Sequence, residues 1–208
     1  MNFIEQYRSL KTLTVKEIQR FFRIWQQTLI PSVVTTILYF VIFGSFIGTR
    51  IGQMGGFDYM QFMAPGLIML AVITNAYSNV VSSFYGVKFS KSIEELLVSP
   101  MPTYLILLGF VAGGVVRGIL VGILVMVTSL LFTDIHVQNI PLTLLVIFLT
   151  AVLFSLAGLL NAIFADSFDD INIVPTFVLT PLIYLGGVFY SITLLSETWQ
   201  IISKLNPV

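Results

Sequence analysis

The chain has 208 residues, 57% of them hydrophobic and only 10% charged, with no net formal charge and a mean hydropathy of +0.97. A soluble domain of this length carries about a quarter charged residues, so this chain lacks the polar surface to cover a globule in water. The neutral balance gives no basic nucleic-acid surface. The absence of Cys removes disulfides, thiol nucleophiles and Cys zinc sites, and a single histidine, His136, removes a multi-histidine metal centre.

The N-terminal stretch is long and of mixed polarity, without the short apolar run and small-residue cleavage site of a signal peptide. Over residues 3–28, Tyr7, Leu10, Thr14, Ile18, Phe21, Phe22 and Trp25 recur at helical spacing among Lys11, Lys16, Arg20 and Arg23. That pattern predicts an amphipathic helix lying at a membrane interface, its cations drawn to anionic lipid headgroups. The alternative is a plain extension of the first span.

A hydrocarbon core about 30 Å thick takes roughly 20 apolar helical residues. Five runs qualify, at about 29–48, 63–84, 104–133, 141–165 and 171–192. They are continuous rather than alternating, and an open sheet cannot satisfy its backbone in lipid, so the fold class is an all-α integral membrane protein. Residues 29–192 hold the five spans and 193–208 an external segment, with 1–208 forming one domain. Arg8, Lys11, Lys16, Arg20 and Arg23 precede the first run, and Lys88 and Lys91 follow the second; Arg50 and Lys204 fall on the opposite side. The excess of Lys and Arg predicts a cytoplasmic N-terminus and a cytoplasmic 88–104 segment.

That segment, "KFSKSIEELLVSPMPTY", interrupts an otherwise apolar stretch. Ser92 and Glu95 have capping-box spacing, and Glu94 and Glu95 sit where a helix dipole favours negative charge. Ile93, Leu96 and Leu97 form an apolar face, and Pro100 and Pro102 stop the helix after about two turns. A helix this short is marginal alone. It is either a connector folded on its own bundle or an element that docks into a cytoplasmic partner.

In the second run, Asn75, Ser78, Asn79 and Ser82 form a polar stripe at i, i+3, i+4 and i+7. Such a face must meet protein or water, through interhelical hydrogen bonds or as the lining of a translocation path. In the third run, Gly114, Gly118 and Gly122 allow close helix approach, within one subunit or between two. Arg117 borders them, about one turn inside the predicted inner boundary, able to snorkel outward or to serve as a substrate counter-ion. Asp166, Asp169 and Asp170 follow the fourth run. Without further oxygen donors nearby they read as a helix cap and ion-pair partners for Lys88 or Lys91 rather than as a metal site. Pro181 and the Gly186–Gly187 pair weaken the fifth run, where Phe189, Tyr190 and Trp199 suit an external gate or an aromatic belt.

The order of a basic amphipathic helix, two spans, "SIEELLVSPMP" and further spans resembles the permease subunit of type-2 ABC transporters. So do "FMAPGLIML", "AVLFSLAGLLNAIFADSFDDI" and "VPTFVLTPLIYLGGVFYS". The resemblance runs over essentially the whole chain. It implies that Ser92, Ile93, Glu94, Glu95, Leu96, Leu97, Val98 and Ser99 form the helix that enters a cleft of a separate ATP-binding subunit. It also implies a homodimer of permeases with two ATPases, a bacterial inner (cytoplasmic) membrane location, export of a cargo, and a sixth span beyond "KLNPV". No G-x-x-x-x-G-K-[ST] occurs, so no cofactor is expected in this chain; ATP and Mg would be bound by the partner, and the chain would not itself be an enzyme. An ATP-independent carrier or channel is the competing class, disfavoured because Arg117 is the only ionisable residue in the five runs. A membrane enzyme is disfavoured by the lack of paired intramembrane carboxylates.

Overall fold

The structure is a computed structural model that describes residues 2–135 and 137–206; His136 lies outside the described residues. Helix α1, Phe3–Arg23, opens with the Glu5 carboxylate accepting the Asn2 amide at 2.9 Å. Its last helical residue, Arg23, comes five residues before the predicted end, because the non-helical backbone of Ile24 breaks the chain there. The face it buries carries Leu13, Glu17 and Phe21, while Phe3, Tyr7, Phe22 and Trp25 are exposed. The predicted apolar stripe is thus divided between two sides, Phe21 turning inward and Tyr7, Phe22 and Trp25 outward.

Helix α2, Trp25–Gly48, follows directly, with the Thr28 hydroxyl donating to the Phe21 carbonyl at 3.2 Å across the elbow. Its last nine residues, Phe40–Gly48, widen into a π-helix. Gly44 allows this part to lie on Met60, whose Cε would be 2.7 Å from a Cβ at that position. A small hairpin then reverses the chain, Gln53–Met54 (β1) pairing antiparallel with Phe57–Asp58 (β2). Gly55 and Gly56, at φ 62° and 84°, supply the left-handed turn that a two-residue hairpin loop needs. The all-α reading missed this strand pair; four residues at a helix mouth give no periodic signal.

Helix α3, Tyr59–Phe89, is the axis of the molecule. It packs along α5 (Thr103–Ser129) on one side and α6 (Ile140–Phe164) on the other, and α1 crosses α5 near its start. Between α3 and α5 lies the short α4, Ser92–Val98. After α6 come α7, Asp170–Leu185, and α8, Glu197–Lys204.

Among the described residues four helices are long and apolar enough to cross a membrane: α2, α3, α5 and α6. The expected fifth span departs from this. The run at 171–192 forms α7, which closes at Gly186 and reverses at Gly187, φ 82°. At 1.5 Å per residue it is about 24 Å long, short of a 30 Å core. The returning chain places Val188 on Gly66, where a Cβ would meet the valine Cα at 3.1 Å.

Candidate functional site

Helix α4 begins after Lys91, which adopts a left-handed backbone at φ 60°. That turn makes Lys91 the cap and places Ser92 inside the helix. The predicted Ser92–Glu95 capping box is therefore not formed; the Ser92 hydroxyl lies 3.1 Å from that of Ser90 instead. Ile93 and Leu96 pack inward against the bundle, and the Ser99 hydroxyl closes the helix by donating to the Leu96 carbonyl at 2.6 Å. Glu94, Glu95, Leu97 and Val98 face outward, Val98 being 87% exposed. The apolar face read from the sequence is split: Ile93 and Leu96 anchor the helix, and Leu97 joins Val98 on the free side. Beside it a groove of about 400 Å³ runs between α4 and α1, with Arg8 and Lys16 on its wall.

The polar stripe on α3 also divides. Asn75 and Asn79 are buried; Ser78 and Ser82 are exposed. Asn79 accepts from Arg20 of α1 through both its carbonyl and its side-chain oxygen, each at 2.9 Å. Asn75 accepts from Arg117 of α5 at 3.2 Å and donates to Ser32 of α2 at 3.2 Å. One turn further, the Ser83 hydroxyl donates to Glu17 of α1 at 2.5 Å, and Arg20 Nε lies 3.4 Å from the same Glu17 oxygen. Three elements thus meet α3 through one ladder of polar contacts. Glu17, wholly buried, went unnoticed in the sequence, although its place between Leu13 and Phe21 on one helix face marks it as inward.

Gly114, Gly118 and Gly122 of α5 lie against α3 within the same chain. Added Cβ atoms would come 2.9 Å from the Ala76 carbonyl, 2.9 Å from Ala76 Cβ and 2.6 Å from a Val72 methyl. Two more glycines, Gly109 and Gly113, continue this stripe toward α1, against Leu13 and Glu17.

At the α4 end of α3, Lys88 Nζ donates to the carbonyls of Ile163 and Ala165 at 2.8 and 2.6 Å, satisfying the C-terminus of α6. Tyr85 donates to the Asp166 carbonyl at 3.1 Å, and Asp166 stands 4.0 Å from Lys88. Asp170 caps α7. Its carboxylate accepts the amides of Asp166 and Ser167, both at 3.0 Å, while its own amide donates to the Ser167 hydroxyl. The Asp166 amide, then the Ser167 hydroxyl and amide, hold the Asp170 carboxyl below its usual 3.8. No group of three or more metal-ligating side chains occurs among the described residues.

At the other end, Phe189 joins Tyr39, Phe43 and Tyr184 in an aromatic cluster, with ring centroids 5.0–5.9 Å from Phe189. The Tyr59 hydroxyl donates to the Phe189 carbonyl at 2.9 Å. Tyr190 is half-buried beside this cluster and has no ring contact in it, so the structure sets the two candidate gate residues apart.

The family profile described as ABC-2 type transporter matches residues 8–208. The chain is 62% identical over 200 residues to Inner membrane transport permease YadH of Escherichia coli (strain K12), covering 96% of this chain and 78% of that protein. It is 23% identical over 195 residues to Nodulation protein J of Neorhizobium galegae, covering 91% and 74% of the two chains. No solved structure matches it. A bundle of apolar helices long enough to cross a bilayer and a family match over nearly its whole length lead to one assignment: the chain belongs to the ABC-2 type transporter family and is a transmembrane transport permease.

Proposed function

We propose that the chain is the permease subunit of an ATP-driven exporter in a bacterial inner membrane, with α1 and α4 on the cytoplasmic side. It works as a homodimer with a separate ATP-binding subunit, which holds ATP and Mg and performs the hydrolysis. Residues Ser92 to Ser99 form the coupling element. The observation that carries this reading is the outward face of α4, where Glu94, Glu95, Leu97 and Val98 are exposed while Ile93 and Leu96 fix the helix to the bundle. An exposed apolar pair flanked by carboxylates on an anchored helix suits a partner's cleft with an apolar floor and a basic rim. The cargo is an amphipathic or lipid-like molecule, in keeping with the uncharged aromatic cluster around Phe189 and the exposed Ser78 and Ser82 on α3.

Co-expression with a candidate ATP-binding subunit tests the reading. A stable complex with vanadate-sensitive ATP hydrolysis in proteoliposomes is the expected result. A permease that moves amphipathic cargo with no ATPase bound would instead establish an ATP-independent carrier.

A further inference from the structure

Two guanidinium groups, from Arg20 and Arg117, stand beside neighbouring turns of α3, at Asn79 and Asn75. One carboxylate, Glu17, serves this pair, and it faces Arg20. Among the described residues Arg117 has no carboxylate within 4.0 Å; it donates to the neutral Asn75 side chain, and its Nε, buried, has no acceptor. Arg117 lies one turn beyond Gly113, the point where Glu17 of α1 crosses α5. It is therefore a cation in an apolar helix, just past α1, held by one neutral acceptor and no counter-ion among the described residues.

A charge in that position is costly unless an anion meets it. Basic pockets between transmembrane helices near a leaflet surface take lipid phosphate, and a guanidinium matches phosphate geometry with paired donors. The relay from Arg117 through Asn75 ends at Ser32. There a groove of about 170 Å³ runs between α2 and α3, lined by Ser32, Thr35, Tyr39, Leu67, Leu70 and Thr74. Its mixture of hydroxyls and leucines suits the ester region and first methylenes of a lipid rather than a bare ion.

We propose that Arg117, with Arg20 beside it, binds the phosphate of an anionic amphiphile whose body lies along the α2–α3 groove beginning at Ser32. The site is distinct from the exposed cations of α1, whose attraction to a membrane surface needs no particular residue. Binding at this site does not require an ATPase, so its test stands apart from the exporter reading.

The experiment measures the thermal unfolding midpoint of the full chain in detergent with dioleoyl phosphatidylglycerol, dioleoylglycerol or inorganic phosphate added. Phosphatidylglycerol is expected to raise the wild-type midpoint by on the order of 5 °C at saturation, and dioleoylglycerol to leave it unchanged. Arg117→Gln should lose most of that rise, while Lys11→Gln/Lys16→Gln, which removes two exposed charges of α1, should keep it. Should R117Q not fold, Arg117→Lys decides, with less than half of the wild-type rise expected because an ammonium lacks the paired donors. A rise reproduced by millimolar inorganic phosphate in wild type but not in the Arg117 variants keeps the phosphate site and makes its source aqueous. A phosphatidylglycerol effect equal in wild type and the Arg117 variants, or one abolished by the Lys11/Lys16 change, overturns the proposal.

Discussion

Glu17 rests on Gly113 so closely that a Cβ on the glycine would lie 2.6 Å from the glutamate Cβ. Backbone contact here is what lets a carboxylate reach Ser83 from a separate helix. Gly113→Ala should therefore push α1 off α5 and cost about 1–3 kcal/mol, the usual penalty of overpacking. Gly86→Ala, on the same bundle but with no atom within 4 Å of the new methyl, should be neutral or stabilise by up to about 1 kcal/mol through helix propensity alone. Paired thermal unfolding curves in one detergent distinguish the two.

Glu17 and Arg20 form an ion pair in which the carboxylate is buried and the arginine side chain is 33% exposed. Removing Glu17 leaves Arg20 and Ser83 short of an acceptor, and Glu17→Ala should destabilise by about 2–3 kcal/mol. Solvent screening at Arg20 moderates the pair itself. A double-mutant cycle with Arg20→Ala should give a coupling of about 0.5–1.5 kcal/mol. A cycle that sums to zero would mean that Glu17 acts through packing and not through charge.

The α7 cap carries a pH signature. With its carboxyl held below the usual 3.8 in the folded chain, Asp170 contributes stability that is complete above about that pH and is lost as pH falls through the lower folded value. Asp170→Asn removes the contribution. Its melting temperature should trail wild type by a constant interval from pH 7 to near pH 4 and converge with it at lower pH.

The two faces of α4 predict opposite phenotypes. Glu94→Lys/Glu95→Lys and Leu97→Glu/Val98→Glu alter only exposed side chains, so stability should fall by no more than about 1–2 kcal/mol, and for the glutamates only through the helix dipole. ATPase association and export should nevertheless be lost. Ile93→Ser or Leu96→Ser removes the anchor instead and should lower the unfolding temperature of the isolated permease. Export that survives the outward changes would mean the partner binds elsewhere.

The sequence announced most of the helices because a bilayer demands long apolar runs, and α2, α3, α5 and α6 each begin and end within five residues of the runs that predicted them. The fate of the fifth run was harder to see. Pro181 and the Gly186–Gly187 pair marked it as weak, but not that Gly187 takes a positive φ, which only the fold of the returning chain requires. The cap of α4 was misplaced for a similar reason. Ser92–Glu95 and Ser167–Asp170 have the same spacing, yet Lys91 turns left-handed and takes the first position, while nothing displaces Ser167. The α3 stripe was legible as polar but not as divided, since what separates Asn79 from Ser78 is the arrival of Arg20 from a helix nearly 60 residues earlier.

Lys88 holds the last carbonyls of α6 three residues before the left-handed turn that launches α4. The end of α3 and the α6–α7 junction are therefore tied together: displacement of α4 reaches that junction through the Lys88 ammonium, the Tyr85 hydroxyl on the Asp166 carbonyl, and the Phe168 ring against Tyr85 and Phe89. Under the proposed coupling role, loosening those contacts together would leave α4 able to seat in a partner yet unable to pull, so engagement and work would part company at the end of one helix.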